Sequence, residues 1–300
     1  FYLEFSLDLI SFSLKNFKNN YAARAVSSWF DHIDTISYAI EQAQQLQQHD
    51  HYLSEAKPKQ DAIKKFMQCD PLILPISQEG HALAIVKYGN LMALCDRASD
   101  SPPKDKITIY YMNRPYKLDE TLIYNLVYQK HSVKNIHRLV INELSAQPID
   151  TLPLPDQTMG NCSWANAEAT IPVLAYMLQI NDPQNTLNKK EKLNDALELY
   201  RRWQTWDSNR TLQFVMQEFD SANDARKASI AALLAAVLFQ KCSADNIEHI
   251  ARAKNIIRIL KNKKFSYILD SYETFYIKRK RTEAGKNLQR LLAIYEQEEI

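Results

Sequence analysis

Leu72-Ile73-Leu74-Pro75-Ile76-Ser77-Gln78-Glu79-Gly80-His81-Ala82-Leu83-Ala84-Ile85-Val86-Lys87-Tyr88-Gly89-Asn90-Leu91-Met92-Ala93-Leu94-Cys95-Asp96-Arg97 is the stretch that decides the fold. Its apolar runs are short and separated by turn residues, which is the pattern of strands rather than of helix. Gly89-Asn90 lies between two of them as a hairpin tip requires. Outward from that tip, Tyr88 faces Leu91 and, further along, Leu83 faces Asp96. The carboxylate then falls within about two positions of His81, which opens its strand just after the turn Gln78-Glu79-Gly80. Ile107 to Tyr111 supplies one further strand, and no other part of the chain reads as sheet.

Helices flank this sheet on both sides in sequence. Ala22, Ala25, Val26, Trp29, Phe30, Ile33, Ile36 and Ile40 recur at three- and four-residue spacing and predict an amphipathic helix from Tyr21 to about His49, followed by a shorter one from Ser54 to Met67. Beyond Pro115, helices are expected near 119–129 and 134–144. Pro148, Pro153 and Pro155 then force an extended approach to Gln157-Thr158-Met159-Gly160-Asn161-Cys162. A helix beginning at or near Cys162 runs to Ile180, with Pro172 expected to kink it. From Asn188 onward, Ala-, Leu-, Lys- and Glu-rich stretches predict helices near 189–205, 208–219, 222–240, 244–260, 265–280 and 283–298. The expected fold is α+β, with a small mixed sheet packed on the Cys162 helix. Three regions are expected: helical residues 1–69, a core over 70–184, and helical residues 185–300.

Bulk properties exclude several classes. Of the 300 residues, 37 are Lys or Arg and 35 are Asp or Glu, a formal charge of +2. So even a balance gives no electrostatic case for nucleic acid or an anionic membrane as the main partner. Cys69, Cys95, Cys162 and Cys242 lie far apart and match neither zinc-ligand nor disulfide spacing, so a reducing compartment is expected. The apolar opening is interrupted by Glu4 and Asp8, and no run approaches the roughly 18 residues a membrane span needs. A soluble protein is expected.

The residues that carry chemistry are Cys162, His81 and Asp96. A thiol attacks a carbonyl as thiolate, so it needs an electropositive setting, a base and donors for the oxyanion. Cys162 at a helix start, after the permissive Gly160, faces unpaired backbone N–H groups and the positive end of the helix dipole. His81 on a strand is a rigidly held base, and Asp96 on the neighbouring strand orients its ring. Asp100 is the substitute acid if the hairpin register differs. Gln157, five residues before Cys162, is placed to donate to the oxyanion. Trp164 and Asn161, beside the nucleophile, and Ala82, beside the base, are candidates to line the substrate cleft. Asn166 is a candidate for a local bridge. His131 and His137 form no metal pattern and read as surface residues, and Cys95 reads as core.

The order strand–His81–strand–Asp96, then Gln157 and the Cys162 helix, resembles the signature of clan CE cysteine peptidases over roughly residues 70–180. That clan holds the SUMO and NEDD8 proteases of eukaryotes, the adenovirus protease, and bacterial effectors that are deubiquitinases or, with the same triad, acetyltransferases. The resemblance implies Cys162 as nucleophile, His81 as general base, Asp96 as orienting acid and Gln157 as oxyanion donor. It implies ubiquitin or a ubiquitin-like protein as substrate and no metal or organic cofactor. Eukaryotic members usually carry Trp after the His and Asp-Cys-Gly at the nucleophile. Here Ala82 and Asn161-Cys162-Ser163 stand in those places, which is closer in style to a bacterial effector delivered into a host cytosol, its helical flanks holding a host target. An acetyl-CoA-dependent acetyltransferase and a host-protein-binding module with a vestigial cleft are the alternatives. The basic run Lys278-Arg279-Lys280-Arg281 reads as solvated helix surface, although the related acetyltransferases bind inositol phosphate.

Overall fold

The computed structural model describes residues 2–52, 56–78, 80–98, 106–129, 131–156 and 162–298. Five strands form one sheet: β1 (Leu72–Gln78), β2 (His81–Tyr88), β3 (Leu91–Cys95), β4 (Ile107–Met112) and β5 (Ala146–Leu152). They lie in chain order, and every neighbouring pair is antiparallel. The sheet is therefore antiparallel throughout and not mixed: β1, β2 and β3 are joined by tight turns, and the longer connections to β4 and β5 also return antiparallel. The tip at Gly89-Asn90 sets the register: Tyr88 pairs with Leu91 and Ala84 with Cys95. Gly89 at φ +54° and Gly80 at φ +80° occupy left-handed backbone at the two tight turns of this meander.

Both faces of the sheet are covered, which is why β2 and β3 are almost continuously apolar instead of alternating. One face, with Ala82, Ala84, Val86, Ala93 and Cys95, packs against α1 (Tyr2–Lys18), α2 (Phe30–Tyr52) and α6 (Cys162–Asn181). The other, with Leu83, Ile85, Met92 and Leu94, packs against α3 (Ala56–Phe66), α4 (Glu120–Tyr128) and α5 (Val133–Glu143). Alternation along β2 places successive side chains in these two separate cores.

Several elements depart from the sequence reading. The opening residues form α1, whose Leu7, Ile10, Leu14 and Phe17 are fully buried. The expected helix from Tyr21 begins instead as a 3₁₀ segment, Tyr21–Trp29, broken at Val26, before α2 starts at Phe30. β5 sits where only an extended approach was expected; it is a sheet-edge strand with mostly exposed side chains. Pro172 does not interrupt α6, which runs unbroken for 20 residues. That helix is buried from Ala165 to Gln179, and burial on all sides outweighs one missing backbone hydrogen bond.

The chain divides into two compact units, residues 1–206 and 207–300. The helices before residue 70 share a core with the sheet and α6, so they belong to the same unit as the expected 70–184 core. Helix α7 (Lys189–Ser221) is one continuous run where two helices were expected. α8 (Asp224–Lys241), α9 (Ile247–Leu260), α10 (Ser266–Tyr272), a π-helical turn over Glu273–Arg279 and α11 (Glu283–Glu298) enclose a separate core around Leu234, Leu238, Ile256, Ile257 and Leu291. Among the described residues no helix is long and apolar enough to cross a membrane.

Candidate active site

Cys162 is the first residue of α6, so its side chain stands where the helix leaves backbone N–H groups without intrahelical acceptors. Its sulfur accepts a hydrogen bond from the Ala82 N–H at 3.3 Å and lies 4.0 Å from the Gly80 carbonyl oxygen. The thiol thus meets the main chain on both sides of His81. A donor aimed at sulfur interacts more strongly with thiolate than with thiol. Cys162 is half-buried, whereas Cys95 and Cys242 are buried.

The His81 ring reaches Asp96: Nε2 is 2.9 Å from Oδ1. Asp96 follows the last residue of β3, so the register that faces Ala84 with Cys95 brings its carboxylate beside the start of β2. Its side chain is 0% exposed, against 20% for His81. Asp96 Oδ1 also accepts the Ala98 N–H at 3.3 Å. A carboxylate only accepts hydrogen bonds, so His81 carries its proton on Nε2, and Nδ1 is the nitrogen with the basic lone pair.

A second imidazole meets the same carboxylate. His137, on α5, places Nε2 3.0 Å from Asp96 Oδ2. The sequence reading took His137 for a surface residue. Its partner is 41 positions away in the chain, so no local spacing could have singled it out. His131 is turned instead to Asn125 Oδ1 at 2.8 Å.

Asn166 joins the nucleophile helix to the strands. β2 and β3 separate beyond Ala84–Cys95, where continuing the register would pair Leu83 with Asp96 and then Ala82 with Arg97. The Asn166 amide fills that gap: Nδ2 donates to the Ala82 carbonyl at 2.6 Å, and Oδ1 accepts the Arg97 N–H at 2.8 Å. A side-chain amide can imitate a peptide unit in this way because it carries the same donor and acceptor. Asn166 is wholly buried, four residues after Cys162 and on the same helix face. The Ala82 N–H that would have served the ladder is left pointing at the sulfur.

Arg97 fastens the surroundings. Its guanidinium donates to the Pro155 carbonyl at 2.7 Å and the Ala165 carbonyl at 3.3 Å, and pairs with Glu168 at 3.0 Å. Glu168 in turn accepts from Trp164 Nε1 at 3.0 Å. Trp164 therefore packs against the core with its indole N–H committed to this network. Ala82 contributes its backbone to the site, and its methyl is buried in the core. The structure brings His81, Asp96 and Cys162 to one end of the sheet. Gln157, Asn161 and Asp100 lie outside the described residues.

No family model matches the chain, and no curated protein matches it. Among solved structures, one titled as the structure of the Legionella effector AnkH superposes with a TM-score of 0.80 at 34% sequence identity. The alignment covers 98% of this chain and 62% of that one, so this chain spans somewhat under two thirds of its neighbour's length.

Proposed function

We propose that this chain, built like the larger part of a Legionella effector, is an effector-type thiol isopeptidase that cleaves after the C-terminal tail of ubiquitin or a ubiquitin-like protein. The observation that carries this reading is the placement of one sulfur. Cys162 Sγ sits at a helix start, against the backbone on both sides of a histidine that a buried aspartate holds at 2.9 Å. The likeness to a bacterial effector supports the biological setting, an enzyme meeting host proteins, and the resemblance to clan CE peptidases supports the acyl chemistry.

The steps follow from the side chains. His81 Nδ1 takes the Cys162 proton, and Asp96 stabilises the imidazolium. The thiolate attacks the carbonyl of the modifier's last residue, forming the C–S bond. The oxyanion is met by N–H groups at the start of α6. As the C–N bond breaks, the imidazolium returns its proton to the departing lysine amine and leaves a thioester. His81 then deprotonates water, which attacks the thioester, and the proton passes to the thiolate.

The test is labelling with C-terminal propargylamides of ubiquitin, SUMO and NEDD8, followed by intact mass and peptide mapping. One adduct at Cys162, absent from Cys162→Ala, is the expected outcome. Autoacetylation in acetyl-CoA without any such adduct would replace the isopeptidase with an acetyltransferase. Silence in both assays, with unchanged biological activity of Cys162→Ala, would make the chain a binding module.

A further inference from the structure

We infer that His137 is a positioning residue of the same site: it fixes the plane of the Asp96 carboxylate, and through it the tautomer of His81. The inference rests on the proposed thiol chemistry but reaches beyond it, because the triad itself gives His137 no part. Asp96 lies beyond the last paired residue of β3, so ladder hydrogen bonds do not set its orientation. Donors do. His81 Nε2 and the Ala98 N–H meet Oδ1, and His137 Nε2 meets Oδ2 from the helix opposite. Donors on both oxygens restrain rotation of the carboxylate about its own axis, which a donor on one oxygen leaves soft.

Both rings donate through Nε2, which leaves Nδ1 of each as the unprotonated position in the neutral form. The consequence for His81 is direct, since Nδ1 is the atom that must accept the thiol proton. α5 presents His137 firmly, because Ile136 and Val140 anchor the helix in the core and Ser132 caps its start by accepting from Asn135 N. His137 is 25% exposed on its side chain while Asp96 is 0% exposed, so the second imidazole shields the carboxylate from solvent on that side.

Three neighbouring ionisable groups point elsewhere. Arg97 is turned to Glu168 on α6, His131 is bonded to Asn125 on α4, and Cys95 belongs to the opposite sheet face. The two histidines therefore share one carboxylate.

The experiment compares the wild-type chain with its His137→Gln and His137→Leu variants. Iodoacetamide alkylation of Cys162 is followed by peptide mass spectrometry across the pH range, and the ring nitrogens of His81 are followed by ¹⁵N NMR. Glutamine keeps an N–H donor; leucine has none. The expected result is near-normal alkylation for His137→Gln. His137→Leu should be slower by about 10-fold, the loss that corresponds to one hydrogen bond to a charged group. NMR should show a pure Nε2–H tautomer at His81 in wild type and His137→Gln, and a mixture in His137→Leu. Equal alkylation and an unchanged tautomer in folded His137→Leu overturn the inference, as does a folded His137→Gln that behaves like leucine. A wild-type Cys162 whose reactivity ignores His81→Ala is a different failure: it removes the thiol chemistry, while the NMR comparison still decides what His137 does to His81.

Discussion

At the scale of single residues, Cys162 differs in reactivity from Cys95 and Cys242 for reasons visible around each one. Burial, chiefly, and the Asp96 charge push the Cys95 thiol far above its ordinary range against the pull of Arg97, and burial pushes Cys242 up to about 11. A thiol so placed stays protonated at neutral pH and is a poor nucleophile. Cys162, with a backbone N–H on its sulfur, should be alkylated by iodoacetamide at neutral pH while Cys95 and Cys242 of the folded protein are not, which peptide mass mapping reads directly. Asp96→Asn should leave the fold intact and lower turnover by about 10⁴-fold, because an amide no longer selects the Nε2–H tautomer of His81. The pair His81 and Asp96 was legible because hairpin register is set by two turn residues. His137 was not, because contact between α5 and the end of β3 depends on packing over a long chain separation.

At the scale of elements, the splayed ends of β2 and β3 are the feature on which the site depends. Asn166 closes that gap, and Asn166→Ala should cost about 2 kcal/mol by leaving the Ala82 carbonyl and Arg97 N–H without this partner. Denaturant unfolding measures the loss, and alkylation of Cys162 should slow with it. A sequence shows that an asparagine stands one helical turn beyond a candidate nucleophile. It does not show that two strands open to receive the amide. β5 was missed for a related reason: as an edge strand, with Pro148 within it and few buried side chains, it carries almost no apolar signature.

A different element carries a pH effect. His249 on α9 accepts the Ser243 N–H through Nδ1, which requires a neutral ring. Burial, with help from Arg252, holds its pKa below the ordinary 6.5. The unfolded chain therefore binds this proton more readily, so this contribution to stability is present above about pH 6.5 and is lost as pH falls through the lower folded-state value. His249→Gln should flatten that part of the stability–pH curve, as followed by thermal unfolding.

At the scale of the molecule, every described residue of the site, and both cores that sandwich the sheet, lie within residues 1–206. α1 is not an appendage in this arrangement, since Leu7, Ile10, Leu14 and Phe17 share the core behind α6. Leu14→Ala should destabilise the protein by about 2–5 kcal/mol, the usual cost of such a core truncation. The α+β class and the long helical C-terminal portion were readable from periodicity and from the near absence of Gly and Pro after residue 188. The grouping of the N-terminal helices with the sheet was not, because an amphipathic helix shows that it has an apolar face and leaves open what covers that face.

The most direct test of the central claim is covalent capture at one sulfur. Wild-type protein treated with the propargylamide of a cognate ubiquitin-like modifier should gain one modifier's mass on Cys162, while His81→Ala and Asp96→Asn gain it far more slowly. No adduct with ubiquitin, SUMO or NEDD8, together with alkylation of Cys162 no faster than that of an unstructured cysteine and unaffected by His81→Ala, would contradict it.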